Sequence, residues 1–382
     1  MPEGRRAEEI PETWLIFFGR RLFGAPDKPD ISCTCTPAPL PPPPPSTPPP
    51  PPPSAPPPPA CYEFGEPAPE AHFAAGSSTS LDTNAYPGGF NYSSLTIEKG
   101  ANIVAVGANP LIIRVTHLVN ISGMLNISGG RGGNAGGDHM AAGGGAGGGA
   151  LKIIAMEIFI GATGAVHADG GNGGDAGGPG QAFFANAADG GDGSGGVGRA
   201  GGFNGGGGGA SSSDGHAGMG PGASGPARMD GGVPPGAGGA GYATAGTNGF
   251  AQYTGNIQSG GPAYGDAQLT QGLLGGSGAS GGGNDGDNEE GAGGGGSGGT
   301  IYLVSTVLNI QGTVSAVGGL GGTDDYHYNG GSRLCCDNGG PGSVGRLRFD
   351  YRNFTQSGEV TPAPGYVLDH AAVGTNLCPM WS

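Results

Sequence analysis

The chain reads as mainly β: a small β-solenoid or sandwich framework throwing out long glycine-rich excursions, preceded by a short N-terminal helix or hook and a polyproline II stalk. Three observations predict this. An eleven-residue cassette, Gly-x-Leu/Val-x-Ile/Ala-x-Gly-Gly-x-Gly-Gly, occurs at 123–133, 164–174 and 312–322. Each copy follows an apolar run, at 111–121, 151–160 and 301–310, and the second and third runs are entered from near-pure glycine at 143–149 and 293–299. A degraded fourth copy runs from Gly345 to Gly358. The repeating unit is therefore a strand, a glycine-marked bend, a second short strand with alternating inward residues, and a departure into glycine.

The elements follow in order. Residues 1–36 form an N-terminal docking segment, in which Trp14, Leu15, Phe17, Phe18, Leu22 and Phe23 surround Arg20 and Arg21. Such a hook is too apolar to stay in water and too short to be stable alone, so it docks onto a partner protein or onto its own copies. A membrane-surface role competes with this, although two arginines make a thin basic face. Residues 37–60 are nearly all proline and make a semi-rigid spacer, roughly 70 Å long at about 3.1 Å per residue. Residues 61–93 are a transition, 94–368 the glycine-rich β head, and 369–382 a C-terminal tail.

With 90 Gly and 35 Pro in 382 residues, disorder is the default reading of composition. Glycine loses the most backbone entropy on ordering and brings no side chain to a core. An ordered excursion therefore needs backbone hydrogen bonds in place of side-chain packing. Extended threefold helices lying side by side, akin to polyproline II, provide them, and 170–178 has the required period of three. Collagen fits poorly, because the glycine register slips around 228–235 and 249–257. A disordered tether is the competing reading. Against it stand interruptions rich in aromatic and polar residues, including Phe203, Tyr242, Phe250, Tyr253, Tyr264 and 269–274. If the glycine segments pack as rods, these fall at the turns, some plugging the base of the head and others exposed at its tip.

Chemistry is sparse. The net charge of −15 argues against a nucleic-acid partner, which would demand a basic stripe. The start carries acids where a secretory signal has a basic leader. Cys33, Cys35, Cys61, Cys335, Cys336 and Cys378 lack metal-site spacing, and free thiols are expected. No nucleophile elbow or zinc-protease motif is present, and the expectation is a protein that is not an enzyme. Asp138, Glu157 and Asp169 are the nearest carboxylates for a depolymerase, at spacings that do not compel one.

Two acidic clusters stand out. Asp285, Asp287 and Glu289 place oxygens at alternate positions, as calcium loops do, though without the remaining ligands; a solvated acidic turn is the alternative. No other cofactor is expected. Asp324, Asp325, Tyr326, His327 and Tyr328 join carboxylates to aromatic rings at the tip of the third excursion. That mix suits sugar recognition; tyrosines packing over glycine backbone are the alternative. Tyr242, Tyr253 and Tyr264 complete the expected receptor-contact set.

Glycine-rich segments alternating with short aromatic and polar loops, behind an N-terminal attachment segment, resemble the glycine-rich receptor-binding adhesins at the tail-fibre tips of tailed bacteriophages. The resemblance covers roughly 129–345. It implies a polyglycine II-like sandwich whose loops bind host outer-membrane protein or polysaccharide. It further implies N-terminal docking to other tail or baseplate proteins and location in the virion tail. A homo-oligomer, a trimer first, is expected because short strands from three chains would close a core that one chain can hardly fill; a single folded head is the alternative. The strand cassettes are separately similar to glycine-rich repeat proteins of bacterial surfaces, which gives the alternative of a structural or adhesive cell-surface protein.

Overall fold

The computed structural model describes residues 69–135, 141–176, 193–209, 213–228, 236–250, 257–283, 291–323 and 338–369. The chain divides after Pro57 into two units, and every described residue belongs to the second, Pro58–Ser382. The N-terminal docking residues Trp14, Leu15, Phe17, Phe18, Leu22 and Phe23, with the stalk behind them, lie outside the described residues.

Among the described residues the protein is mainly β, without a helix and without a closed barrel. In chain order the strands are β1 (Ala71–Phe73), β2 (Ser78–Asp82), β3 (Phe90–Tyr92), β4 (Leu95–Ile97), β5 (Asn102–Val106), β6 (Leu111–Ile121), β7 (Met124–Asn126), β8 (Ala150–Ile160) and β9 (Ala165–His167). There follow β10 (Gly249–Phe250), β11 (Ile257–Gln258), β12 (Thr300–Ile310), β13 (Thr313–Ser315), β14 (Arg346–Gln356), β15 (Glu359–Thr361) and β16 (Tyr366–Asp369). An 8-stranded sheet runs β1-β4-β6-β8-β12-β14-β16 with β3 also on β6, and a 6-stranded sheet runs β15-β13-β9-β7-β5-β2. Neighbours in both are parallel; only the small β10–β11 pair is antiparallel.

The cassettes explain this pattern. Each long strand, β6, β8, β12 and β14, turns through a cassette glycine into a short strand of the second sheet. Register places Met124, Ala165, Thr313 and Glu359 side by side, so Gly123, Gly164, Gly312 and Gly358 form a column just before them. A Cβ at Gly312 would fall far inside contact distance of the Gly164 carbonyl oxygen, which is why this turn demands glycine. Alternation then delivers layers of inward side chains: Ile113, Ile153, Leu303 and Phe349 share one level, and Leu125, Val166 and Val314 face them from the second sheet. Strands begin earlier than residue 94. β1, β2 and β3 join the same two sheets, so the head takes in part of the expected transition 61–93; these strands are short, with polar faces, and carry no cassette glycines.

The glycine segments are held by backbone bonds. In 141–149, Ala141, Gly144 and Gly147 donate to the carbonyls of Gly209, Gly206 and Phe203; Ala142, Gly145 and Gly148 to those of Gly291, Gly294 and Ser297; Gly143, Ala146 and Gly149 to those of Gly133, Gly130 and Ile127. Partners thus recur every third residue. The carbonyls of Ala142, Gly145 and Gly148 accept from Gly282, Ala279 and Gly276, those of Gly143 and Ala146 from Gly174 and Gly171, and those of Ala141 and Gly144 from Gly193 and Gly196. Segment 291–299 is ringed in the same manner by 277–283, 168–174, 340–343, 142–148, 237–240 and 319–322. These two segments run directly into β8 and β12, where period three gives way to period two as bulky side chains begin.

Candidate functional site

The glycine segments have two unlike ends. At the base they meet the strands, and the joint is sealed by side chains. Tyr242 is fully buried; its hydroxyl is 2.6 Å from Thr300 Oγ1 and donates to the Leu274 carbonyl at 3.2 Å. Its ring lies 4.5 Å from that of Tyr264, whose hydroxyl donates to the Gly275 carbonyl. Arg346 sits 5.1 Å from the Tyr242 ring and donates to the carbonyls of Tyr242, Tyr264 and Gly265. Burial raises both phenol pKa values, that of Tyr264 strongly.

Beside this joint, residues 265–274 lie across the outer face of β8, β12 and β14. Leu269 and Leu273 pack on Ile154, Tyr302 and Val304. Arg348 donates twice to the buried Asp350 carboxylate, at 3.0 and 2.8 Å, and once to the Gln268 carbonyl, while the Tyr302 hydroxyl donates to the same carboxylate at 2.5 Å. The expectation that Tyr242 and Tyr264 meet a receptor is corrected here. Tyr242 is interior, and Tyr264 is half-buried with its hydroxyl engaged, because the base of the bundle supplies the apolar cover that glycine cannot.

The far end differs. The described stretches end at Ala135, Ala176, Gly209, Arg228, Phe250, Gly283 and Thr323 and resume at Ala141, Gly193, Ser213, Gly236, Ile257, Gly291 and Asn338. Cross-links show these points to be neighbours: Ala135 N to Asp175 O, Ala176 N to Thr323 O, Ala141 N to Gly209 O, Gly209 N to Gly282 O, Ala237 N to Ala292 O and Phe250 N to Asn338 O. The described residues so linked lie at one end of the bundle, opposite the two large sheets. Asp325, Tyr326, His327 and Tyr328 with Asp324 fall between Thr323 and Asn338, Tyr253 between Phe250 and Ile257, and Asp285, Asp287 and Glu289 between Gly283 and Gly291. All lie outside the described residues.

Two described side chains at this end stand out. Phe250 and Ile257 are directly opposed across β10–β11 and are 56% and 62% exposed. Phe250 is one of the aromatic interruptions in the sequence, but neither residue belongs to the contact set expected from sequence; the signal for them is a pair of large apolar residues flanking a break in glycine. Nearby, Asp175 accepts from Thr323 N and pairs with Arg131. Burial acts to raise its pKa, but the Thr323 and Arg131 contacts outweigh that and hold it below the usual carboxylate value.

Of the depolymerase carboxylates, Glu157 stands on β8 of the 8-stranded sheet and Asp169 follows β9 of the 6-stranded sheet. Glu157 is exposed, and Asp138 lies outside the described residues. Asp169 accepts from Ser315 Oγ and from Val317 N at 2.9 Å and stands 3.1 Å from His167 Nδ1. Burial acts to raise its pKa, and the hydrogen bonds prevail and lower it. Its Oδ1 thus joins the neighbouring segment, while Oδ2 faces His167 of its own segment. Among the described residues no three His, Cys, Asp or Glu side chains gather as metal ligands. No family model matches the chain, and neither the curated proteins nor the solved structures include a match.

Proposed function

We propose that this chain is a bacteriophage tail-fibre or tail-tip protein whose glycine-rich head binds the host cell surface. The observation that carries the reading is that described residues flanking the variable segments are bonded together at one end of a bundle whose other end is sealed. In this reading the strands form a short β-solenoid, and the threefold backbone bonding is a polyglycine II-like lattice. Such a lattice fixes loop positions while leaving loop sequence free, and binding residues are commonly placed on loops that a rigid scaffold holds. Residues 324–328 with Tyr253 supply rings and carboxylates for host polysaccharide or outer-membrane protein. Phe250 and Ile257 supply apolar contact, and 1–36 docks to the tail. Several copies per particle, as a homo-oligomer, would multiply weak contacts into avid attachment. The head acts as a binding module and not as an enzyme.

The test uses labelled full-length protein on cells of the bacterium from which its phage is grown. Replacing Tyr326 and Tyr328 by Ala, together with Phe250→Asn and Ile257→Asn, should lower cell binding at least about tenfold, the loss of a contact worth roughly 1.4 kcal/mol. The thermal unfolding midpoint should not move. Undiminished binding by the quadruple variant, or no binding by the parent protein, would overturn the proposal.

A further inference from the structure

One lateral edge of the bundle is built to accept another extended chain. Segments 127–135, 168–176 and 316–323 lie in a row, each continuing a strand of the 6-stranded sheet. Donation along the row runs one way. Gly129, Gly132 and Ala135 donate to the carbonyls of Asp169, Asn172 and Asp175 at 2.8, 2.9 and 3.0 Å; Gly170, Gly173 and Ala176 donate to those of Val317, Leu320 and Thr323 at 2.8, 2.8 and 3.0 Å.

The N–H groups of the accepting residues are answered by side chains of the preceding segment. Val317, Leu320 and Thr323 donate to the side-chain oxygens of Asp169, Asn172 and Asp175, as Asp169 and Asp175 donate to Ser128 Oγ and Asn134 Oδ1. Each step of the row therefore has main-chain donors every third residue and, between them, side-chain acceptors for the next strand.

The third segment keeps the donors and has apolar residues at two of its three acceptor positions. Its counterparts of Gly170 and Gly173 are Gly318 and Gly321, and neither N–H has an acceptor among the described residues. Ala316 still donates to Thr361 O, but the chain then crosses to β16 on the other sheet and does not run on beside 318–323. Where Asp169 and Asn172 accepted, this edge presents Val317 and Leu320, and Leu320 is 66% exposed. A strand with its own N–H groups would turn them onto apolar side chains. A strand with carbonyls at every third position and no N–H would not.

We infer that this edge receives a polyproline II strand, and that the strand is the proline-rich segment 37–60 of a second copy of the chain. A polyproline strand has three residues per turn at about 3.1 Å rise, which matches the spacing of Gly318 and Gly321, and it has no backbone donor to satisfy. The contact extends the segment-to-segment bonding already present inside the bundle, and every copy carries the donor sequence. The inference is independent of what the head binds.

Sedimentation velocity on the full-length chain tests it. The expected result is a species of at least twice 36.9 kDa that an excess of synthetic oligoproline converts to the single-chain mass, while a glycine-serine peptide does not. Leu320→Asp should be single-chain without peptide and keep the parent circular dichroism spectrum. A parent protein that sediments as one chain, or an association that oligoproline leaves intact, would overturn the inference.

Discussion

The strand framework and the glycine bundle are held by opposite means within one continuous chain. In the framework, Ile113, Ile153, Leu303 and Phe349 meet across adjacent strands and exclude water with their side chains. In the bundle, 141–149 is surrounded on every side by other backbone segments, and its cohesion is hydrogen bonds and close backbone approach. The junctions at 149–150 and 299–300 show how little separates the two: strand pairing begins where large side chains begin. Removing atoms damages the first region, whereas adding atoms damages the second.

That contrast is broken most sharply by one methyl group. Gly145→Ala would drive its Cβ into the Gly171 carbonyl, which is main chain and cannot rotate away. The expected cost is more than about 3 kcal/mol, at the upper end for overpacking, read as a lowered urea midpoint or as insoluble expression. The complementary deletion in the framework, Ile153→Ala, should cost about 3 kcal/mol through lost burial and a cavity at a fully buried position. A bundle that tolerated Gly145→Ala as easily as a surface site would remove the basis of the comparison.

Smaller effects sharpen it at the joint and at the lateral row. Tyr242→Phe removes the hydroxyl between Thr300 and Leu274, yet Thr300 Oγ1 still donates to the Leu274 carbonyl at 2.6 Å. A loss of about 1 kcal/mol is expected by denaturant titration. Asp169 has a folded-state pKa below its ordinary value of 3.8, so the stability it supplies is complete well above pH 4. That stability is lost as pH falls through the lowered folded value. Asp169→Asn keeps an oxygen for Val317 N and Ser315 but cannot titrate. Its stability should decline less steeply than the parent's between neutral pH and pH 3, and parallel curves would show that the carboxylate's charge is immaterial.

Most of the framework was legible because the cassettes carry both periodicities. Leu125, Val166 and Val314 alternate with polar neighbours, and the glycine before each short strand announces the stacked turn. β1 to β3 were less legible, since three-residue strands such as Ala71–Phe73 hold too few residues for alternation to register. Which segments would be neighbours was not visible: a glycine has no side chain to specify a partner, and only the flanking strands fix register. The same gap explains Tyr242. An aromatic interruption in glycine reads alike whether it closes the base, as Tyr242 does, or is exposed at the far end, as Phe250 is.

The smallest expected effect reverses the sign of the largest. Gly207 lies in a bundle segment, but its added Cβ would first meet the Gly193 carbonyl oxygen and His216 Cδ2, each at 3.6 Å, an ordinary contact. Its backbone is not in the left-handed region, so alanine can adopt the same conformation there. With no steric cost, alanine restricts the unfolded chain more than glycine does, and Gly207→Ala should stabilise by about 0.4–1 kcal/mol. Measured beside Gly145→Ala in the same denaturant series, it separates two explanations of the bundle's glycine content. If both substitutions destabilise alike, glycine is needed for its conformational range. If Gly207→Ala stabilises while Gly145→Ala ruins the fold, glycine is needed only where another backbone passes too close for a methyl group.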